Sequence, residues 1–94
     1  MAKILRTDGS EEQSKPSMGR CYDLEELREI VGGYARSIDL NDGRTMVLND
    51  LADVIGLPIN DKATEIAHEA GVVPEDVFLL GDALICETFE MKYA

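Results

Sequence analysis

The sequence predicts an α+β domain: a small two-layer sandwich, order β-α-β-β-α-β with room for one further strand, its two helices packed on a mostly antiparallel sheet. Three observations predict it. Asp23 opens an amphipathic stretch that Gly32-Gly33 closes, Asn41-Asp42-Gly43 separates two extended runs, and Asn60 opens a second amphipathic stretch that Gly71 closes. Two apolar helix stripes and three or four strands bury their apolar sides most simply as helices laid over one sheet face.

Residues 1–6, with Lys3, Ile4 and Leu5, read as a first strand. Residues 7–20 contain Gly9, Ser10, Ser14, Pro16 and Ser17 and lack a hydrophobic period, which predicts a mobile polar loop. Asp23 then caps the first helix, with Glu26 three residues on to complete a capping box and Tyr22 and Leu27 placed as a hydrophobic staple. Leu24, Leu27, Ile30 and Val31 make its apolar stripe, and the early acids Asp23, Glu25 and Glu26 suit the positive end of the helix dipole.

Residues 34–40 and 44–48 read as a hairpin, because the Asp-Gly between them takes the positive φ that a tight turn needs. Residues 50–55 read as a short turn of helix or a loop, which Gly56-Leu57-Pro58 breaks. Asn60 caps the second helix over residues 61–70, with Ala63, Ile66, Ala67 and Ala70 inward. Residues 77–80 read as an apolar strand and residues 83–86 as another, or as its continuation past Gly81-Asp82. Residues 88–94 are expected to be a frayed tail.

The chain has 94 residues, enough for a single domain spanning 1–94 and too few for two. Apolar residues make up 45%, which supports a packed core, and the scarcity of aromatics makes that core mostly aliphatic. Cys21 and Cys86 match no metal or redox spacing, and no apolar run is long enough for a signal peptide or a membrane span. A cytoplasmic protein with reduced thiols is the expectation. The net charge of −10 disfavours direct binding to nucleic acid or to an anionic membrane.

Three stretches together resemble domain-of-unknown-function family 3846. They are Asp23-Leu24-Glu25-Glu26-Leu27-Arg28-Glu29-Ile30-Val31-Gly32-Gly33-Tyr34 with Asp42-Gly43-Arg44, then Gly56-Leu57-Pro58-Ile59-Asn60 with Ala63-Thr64, then Gly81-Asp82-Ala83-Leu84-Ile85-Cys86. The resemblance runs from Tyr22 to about Glu87 and rests on structural punctuation, so it bears on fold more than on chemistry. It implies a small protein of a bacterial phage, plasmid or mobile element, with no catalytic residues to transfer. It also implies an accessory or counter-defence role, inhibition of a CRISPR-Cas effector among them.

No catalytic, metal or cofactor site is expected. His68 is the sole histidine and stands mid-helix, a solvated or partly packed residue short of further ligands. Ser10, Ser14, Ser17 and Ser37 lack a nucleophile elbow, Gly32-Gly33 follows a helix and lacks a phosphate-loop lysine, and Asp50 with Asp53 does not make a calcium loop.

Charge is the informative feature. Residues 1–49 hold nine acids and seven bases, whereas residues 50–94 hold ten acids and only Lys62 and Lys92. Asp61, Glu65 and Glu69 recur every fourth residue and form one stripe on the second helix, with Glu75, Asp76 and Asp82 as an extension. Like charges at that spacing oppose the helix, by about 0.2–0.5 kcal/mol per pair. A stripe that costs stability and lacks counter-charges is a candidate contact surface. The leading expectation is therefore an acidic inhibitor that engages the basic surface of a host nucleic-acid-handling protein. The alternatives are a nucleotide-signal sponge, with Arg28, Arg36 and Arg44 on phosphates and Tyr34 stacking a base, and a homodimer or adaptor module joined at a sheet edge.

Overall fold

The computed structural model describes residues 2–17 and 19–91. The strands are β1 (Ala2–Leu5), β2 (Glu11–Ser14), β3 (Ala35–Asp39), β4 (Arg44–Asn49) and β5 (Ala83–Glu87). The helices are α1 (Leu24–Val31), α2 (Ala52–Ile55) and α3 (Asp61–Glu69), with a final 3-10 turn at Thr88–Glu90. The strands form one five-stranded sheet in the order β2-β1-β5-β4-β3, and every neighbouring pair is antiparallel. The class is α+β, as the sequence predicts.

The layering differs from the simple two-layer arrangement. Successive residues of a strand face opposite sides of a sheet. Met46, Leu48 and Ile85 pack with Ala63 and Ala67 of α3, whereas Val47, Leu84 and Cys86 pack with Leu27 and Val31 of α1. The two helices therefore cover opposite faces. The central strands β4 and β5 are buried on both, which is why their sequences run Thr-Met-Val-Leu and Ala-Leu-Ile-Cys without polar alternation.

Local signals place most elements. The Asp23 carboxylate accepts from the Glu26 N–H at 2.9 Å, Glu26 returns the capping box, and Gly32 ends α1 in the left-handed conformation. Tyr22 and Leu27 are both buried, as a staple requires. In the β3–β4 hairpin, Asn41 (φ 65°) and Gly43 (φ 88°) make the turn, and the Leu40 N–H donates to the Arg44 carbonyl at 3.0 Å.

Three sequence expectations are corrected. Within residues 7–20, Glu11–Ser14 is the edge strand β2, paired with β1 in the register Leu5↔Glu11 to Ala2↔Ser14. Its first three side chains are exposed, so it carries no apolar period. The turn before it contains Asp8-Gly9, the dipeptide read correctly at Asp42-Gly43; Asp8 accepts from the Ser10 N–H and hydroxyl. Residues 77–80 are extended but belong to no ladder; only Leu80 bridges, to Ile59. In the tail, Thr88–Glu90 is a 3-10 turn, Glu90 is buried, and Met91 bridges Tyr22; residues 92–94 lie outside the described residues.

Asn60 joins these parts. Its side chain is fully buried, and its amide nitrogen donates to the carbonyls of Leu5 (2.8 Å) and Gly81 (2.9 Å). Its oxygen accepts from the Ala63 N–H (3.0 Å) to cap α3. The Thr64 hydroxyl donates to the Asn60 carbonyl and accepts from the Leu79 N–H, both at 2.8 Å. Asn49 does similar work at the other end of the sheet, donating to the Val31 carbonyl (3.1 Å) and accepting from the Leu51 N–H (2.8 Å).

Two predictions follow from this core. Asn60→Ala leaves two buried carbonyls and a helix N–H without partners, and is expected to cost about 3 kcal/mol in urea unfolding. Asn60→Asp does not rescue it, because the carboxylate faces the Leu5 and Gly81 carbonyls.

The second concerns alkaline pH. Burial, and then the nearby Glu90 and Glu87, push the Cys86 thiol from 9.0 up to about 12, and burial also raises the Tyr22 phenol. The folded protein thus keeps protons that the unfolded chain releases, so this stability is present below pH 9 and declines as pH rises toward about 12. Denaturant midpoints measured across that range should fall, and Cys86→Ala should flatten the slope. In the native protein at neutral pH, thiol reagents should label the half-buried Cys21 while sparing Cys86.

Candidate functional site

The surface singled out by charge is built on α3. Ala63, Ala67 and the Thr64 hydroxyl turn inward, which leaves Asp61, Glu65 and Glu69 exposed on the outer side. Four residues of helix separate neighbours, about 6 Å along the axis. Asp61 lies at the helix N-terminus, where the dipole favours it, and Glu69 at the C-terminus, where it does not. Lys62 does not neutralise this stripe: its ammonium reaches Glu11 of β2 at 2.8 Å. Glu11 also takes Lys3 at 3.4 Å, and the hydrogen bond from Lys62, then that from Lys3, hold its carboxyl below the usual range.

Glu75 and Asp76 are exposed in the turn after α3, which the Val77 N–H closes on the Pro74 carbonyl at 3.0 Å. The turn is fastened to the helix by His68, whose Nε2 donates to the Val77 carbonyl at 2.8 Å and whose ring meets the Phe78 edge. The imidazole is partly packed and committed to a carbonyl. This bond ties the turn that bears Glu75 and Asp76 to α3. Among the described residues, no ion pair engages Asp61, Glu65, Glu69, Glu75 or Asp76.

Asp82 does not extend the stripe, and that expectation is corrected. Its carboxylate accepts from Arg6 at 2.9 Å and from the Thr7 N–H at 3.0 Å, and Arg6 also reaches Glu12 at 3.4 Å. The bond to Asp82 is the main reason that the Arg6 guanidinium is held more firmly protonated than usual. The signal that sequence reasoning missed is the β1–β2 hairpin, which brings Arg6 and Glu12 together beside Gly81-Asp82.

The residues considered for a nucleotide site are dispersed. Arg28 stacks over Tyr34 at 5.2 Å, Arg44 is held by Asp42 at 2.8 Å at the hairpin tip, and Arg36 lines a cavity elsewhere. The Arg28–Tyr34 pair alone forms a local contact.

That cavity was not foreseen. It is open, about 370 Å³, and lined by residues that include Arg36, Leu48, Asp50, Asp53, Phe78 and Leu79. Val77 and Phe78 in its wall are exposed, Phe78 at 57%. Leu51 and Val54, adjacent to lining residues in sequence, Ile55 after Val54, and Ile59, bridged to Leu80, are exposed as well. The sequence predicts an apolar strand over residues 77–80. Only Leu79 is fully enclosed; the segment joins no ladder that would bury alternate faces. Among the described residues, no group of three or more His, Cys, Asp or Glu side chains is arranged to hold a metal ion, and no helix is long and apolar enough to cross a membrane.

No curated protein and no solved structure matches the chain. A family model described as Domain of unknown function (DUF3846) matches residues 2–92, nearly the whole sequence, and includes the β1–β2 hairpin that the resemblance from Tyr22 onward left out. The chain belongs to the DUF3846 family.

Proposed function

We propose that the protein is a non-enzymatic acidic binding protein of phage or mobile-element type. It acts in the bacterial cytoplasm by engaging the basic surface of a host nucleic-acid-handling or defence protein, such as a CRISPR-Cas effector. One observation carries the reading. The carboxylates of Asp61, Glu65, Glu69, Glu75 and Asp76 are exposed without an ion pair among the described residues, while nearby Lys62, Lys3 and Arg6 are engaged by other acids. Carboxylates set along a helix present a partner's lysines and arginines with negative charge in the place of phosphates. Such contacts steer association and weaken as salt screens them.

The helix keeps these charges at a cost to its own stability. Asp61, Glu65 and Glu69 repel one another along one face, and Glu69 opposes the dipole. A surface selected only for solubility interleaves both signs.

Two measurements test this. Glu69→Lys should raise stability by about 0.5 kcal/mol in urea unfolding, because it removes a repulsion and complements the helix C-terminus. The combined Asp61→Lys, Glu65→Lys and Glu69→Lys protein, folded by circular dichroism, should no longer capture basic nucleic-acid-handling proteins from nuclease-treated bacterial lysate. The parent protein should release them early in a salt gradient. Equal capture by parent and variant refutes the proposal.

A further inference from the structure

We propose that the groove between β3, α2 and residues 77–80 docks a short partner segment bearing an apolar side chain flanked by lysines or arginines. This deepens the acidic-binder reading and rests on it, supplying the apolar anchor that charge alone does not. The groove is a cavity of about 370 Å³ with Leu48, Leu79 and Phe78 in its wall. Such a cavity accepts an aliphatic or aromatic side chain, and anchors of that kind carry most of the energy of a protein interface.

The wall is mixed, with Arg36, Asp50 and Asp53 beside the apolar residues, and Val77 and Phe78 are its exposed apolar side chains. α2 is four residues long and buries only Ala52, while Val54 and Ile55 are exposed. Ile59 is held beside the groove by its bridge to Leu80, and Val77 and Phe78 are held there by the His68 bond to the Val77 carbonyl. A contiguous apolar surface rimmed by polar groups marks an interaction site.

Charge selects the occupant. Asp50 and Asp53 stand in the groove wall, and Glu75 and Asp76 directly precede Val77; none of the four has an ion pair among the described residues. Arg36 is the one cation in the wall, and its guanidinium is free to donate to carbonyl oxygens of a docked backbone. A second copy of this chain fits poorly. A two-fold contact through this face would bring two sets of these unpaired carboxylates together on a protein of net charge −10. A segment with cations on either side of its apolar residue meets both features at once.

The probe is a fluorescent peptide of alternating leucine and lysine, with serine-for-leucine and glutamate-for-lysine counterparts, titrated by anisotropy. The leucine–lysine peptide is expected to bind. Binding should weaken at least about tenfold for Phe78→Ser and for Asp50→Lys with Asp53→Lys, all exposed positions, and about tenfold for each counterpart peptide. Val77→Ser, a second exposed position, should weaken it in the same direction. Equal binding by the parent and both groove variants overturns the proposal, as does equal binding of the serine–lysine peptide. If the α3 triple variant loses the peptide and Phe78→Ser keeps it, the acidic-face reading stands and the groove is refuted. Reversible self-association of the parent that Phe78→Ser abolishes assigns the face to a second copy and likewise overturns it.

Discussion

Asn60 is the constraint from which the position of the acidic face derives. A primary amide offers two N–H donors and one oxygen, and here all of it is used on backbone: Leu5 at the end of β1, Gly81 before β5 and Ala63 in the first turn of α3. Because β1 and β5 are themselves paired, one side chain fixes where the helix starts relative to two adjacent strands. Ala63 and Ala67 then meet the sheet, and the carboxylates four residues apart are left facing water. No other side chain of similar size makes the same three bonds: aspartate lacks the donors and leucine lacks every polar group. The orientation of the acidic stripe is thus a consequence of hydrogen-bond satisfaction in the core more than of the charges themselves.

Much of this was legible in the residues, for reasons that can be separated. Short-range chemistry was readable wherever the signal sits in a few consecutive positions: the Asp23–Glu26 capping box, the Asn41-Asp42-Gly43 turn, the Asn60 cap and the Gly32 and Gly71 stops. The sheet strands with apolar residues were readable from hydrophobic runs. β2 was not, because an edge strand whose side chains face solvent needs no apolar period and declares itself only through the Asp8-Gly9 turn. The layering was hidden for a different reason. In β4, Thr45 and Val47 are as enclosed as Met46 and Leu48, and only the pairing to β5 at the sheet centre explains why both faces need cover. For the site, the helical spacing of Asp61, Glu65 and Glu69 was visible. The pairing of Asp82 with Arg6 spans 76 positions and left no trace in local sequence.

The distribution of ion pairs follows from that topology. β1, β2 and the start of α3 lie together at one side of the sheet, and there Lys3, Lys62 and Arg6 meet Glu11, Glu12 and Asp82. These pairs are largely solvent-exposed and contribute little stability individually. Their larger effect is on the electrostatic field. By engaging Lys62, Lys3 and Arg6, they leave Asp61, Glu65, Glu69, Glu75 and Asp76 without an ion pair among the described residues. A net charge of the same size spread evenly would give a diffuse field; this arrangement concentrates it.

The exposed apolar groove and the acidic face are compatible for a related reason. An uncovered patch containing Phe78, Val54 and Ile55 would ordinarily promote association between copies. Here each copy carries a charge of −10, and carboxylates stand beside the patch itself, so approach of a second copy meets repulsion over about 10 Å at moderate salt. The same repulsion becomes attraction for a cationic partner. On the proposed reading, acidity would act as a filter that keeps the groove from its own kind and open to a partner of opposite charge. That selectivity needs both features in one place, and His68 supplies it by holding the turn that carries Glu75, Asp76, Val77 and Phe78 against α3.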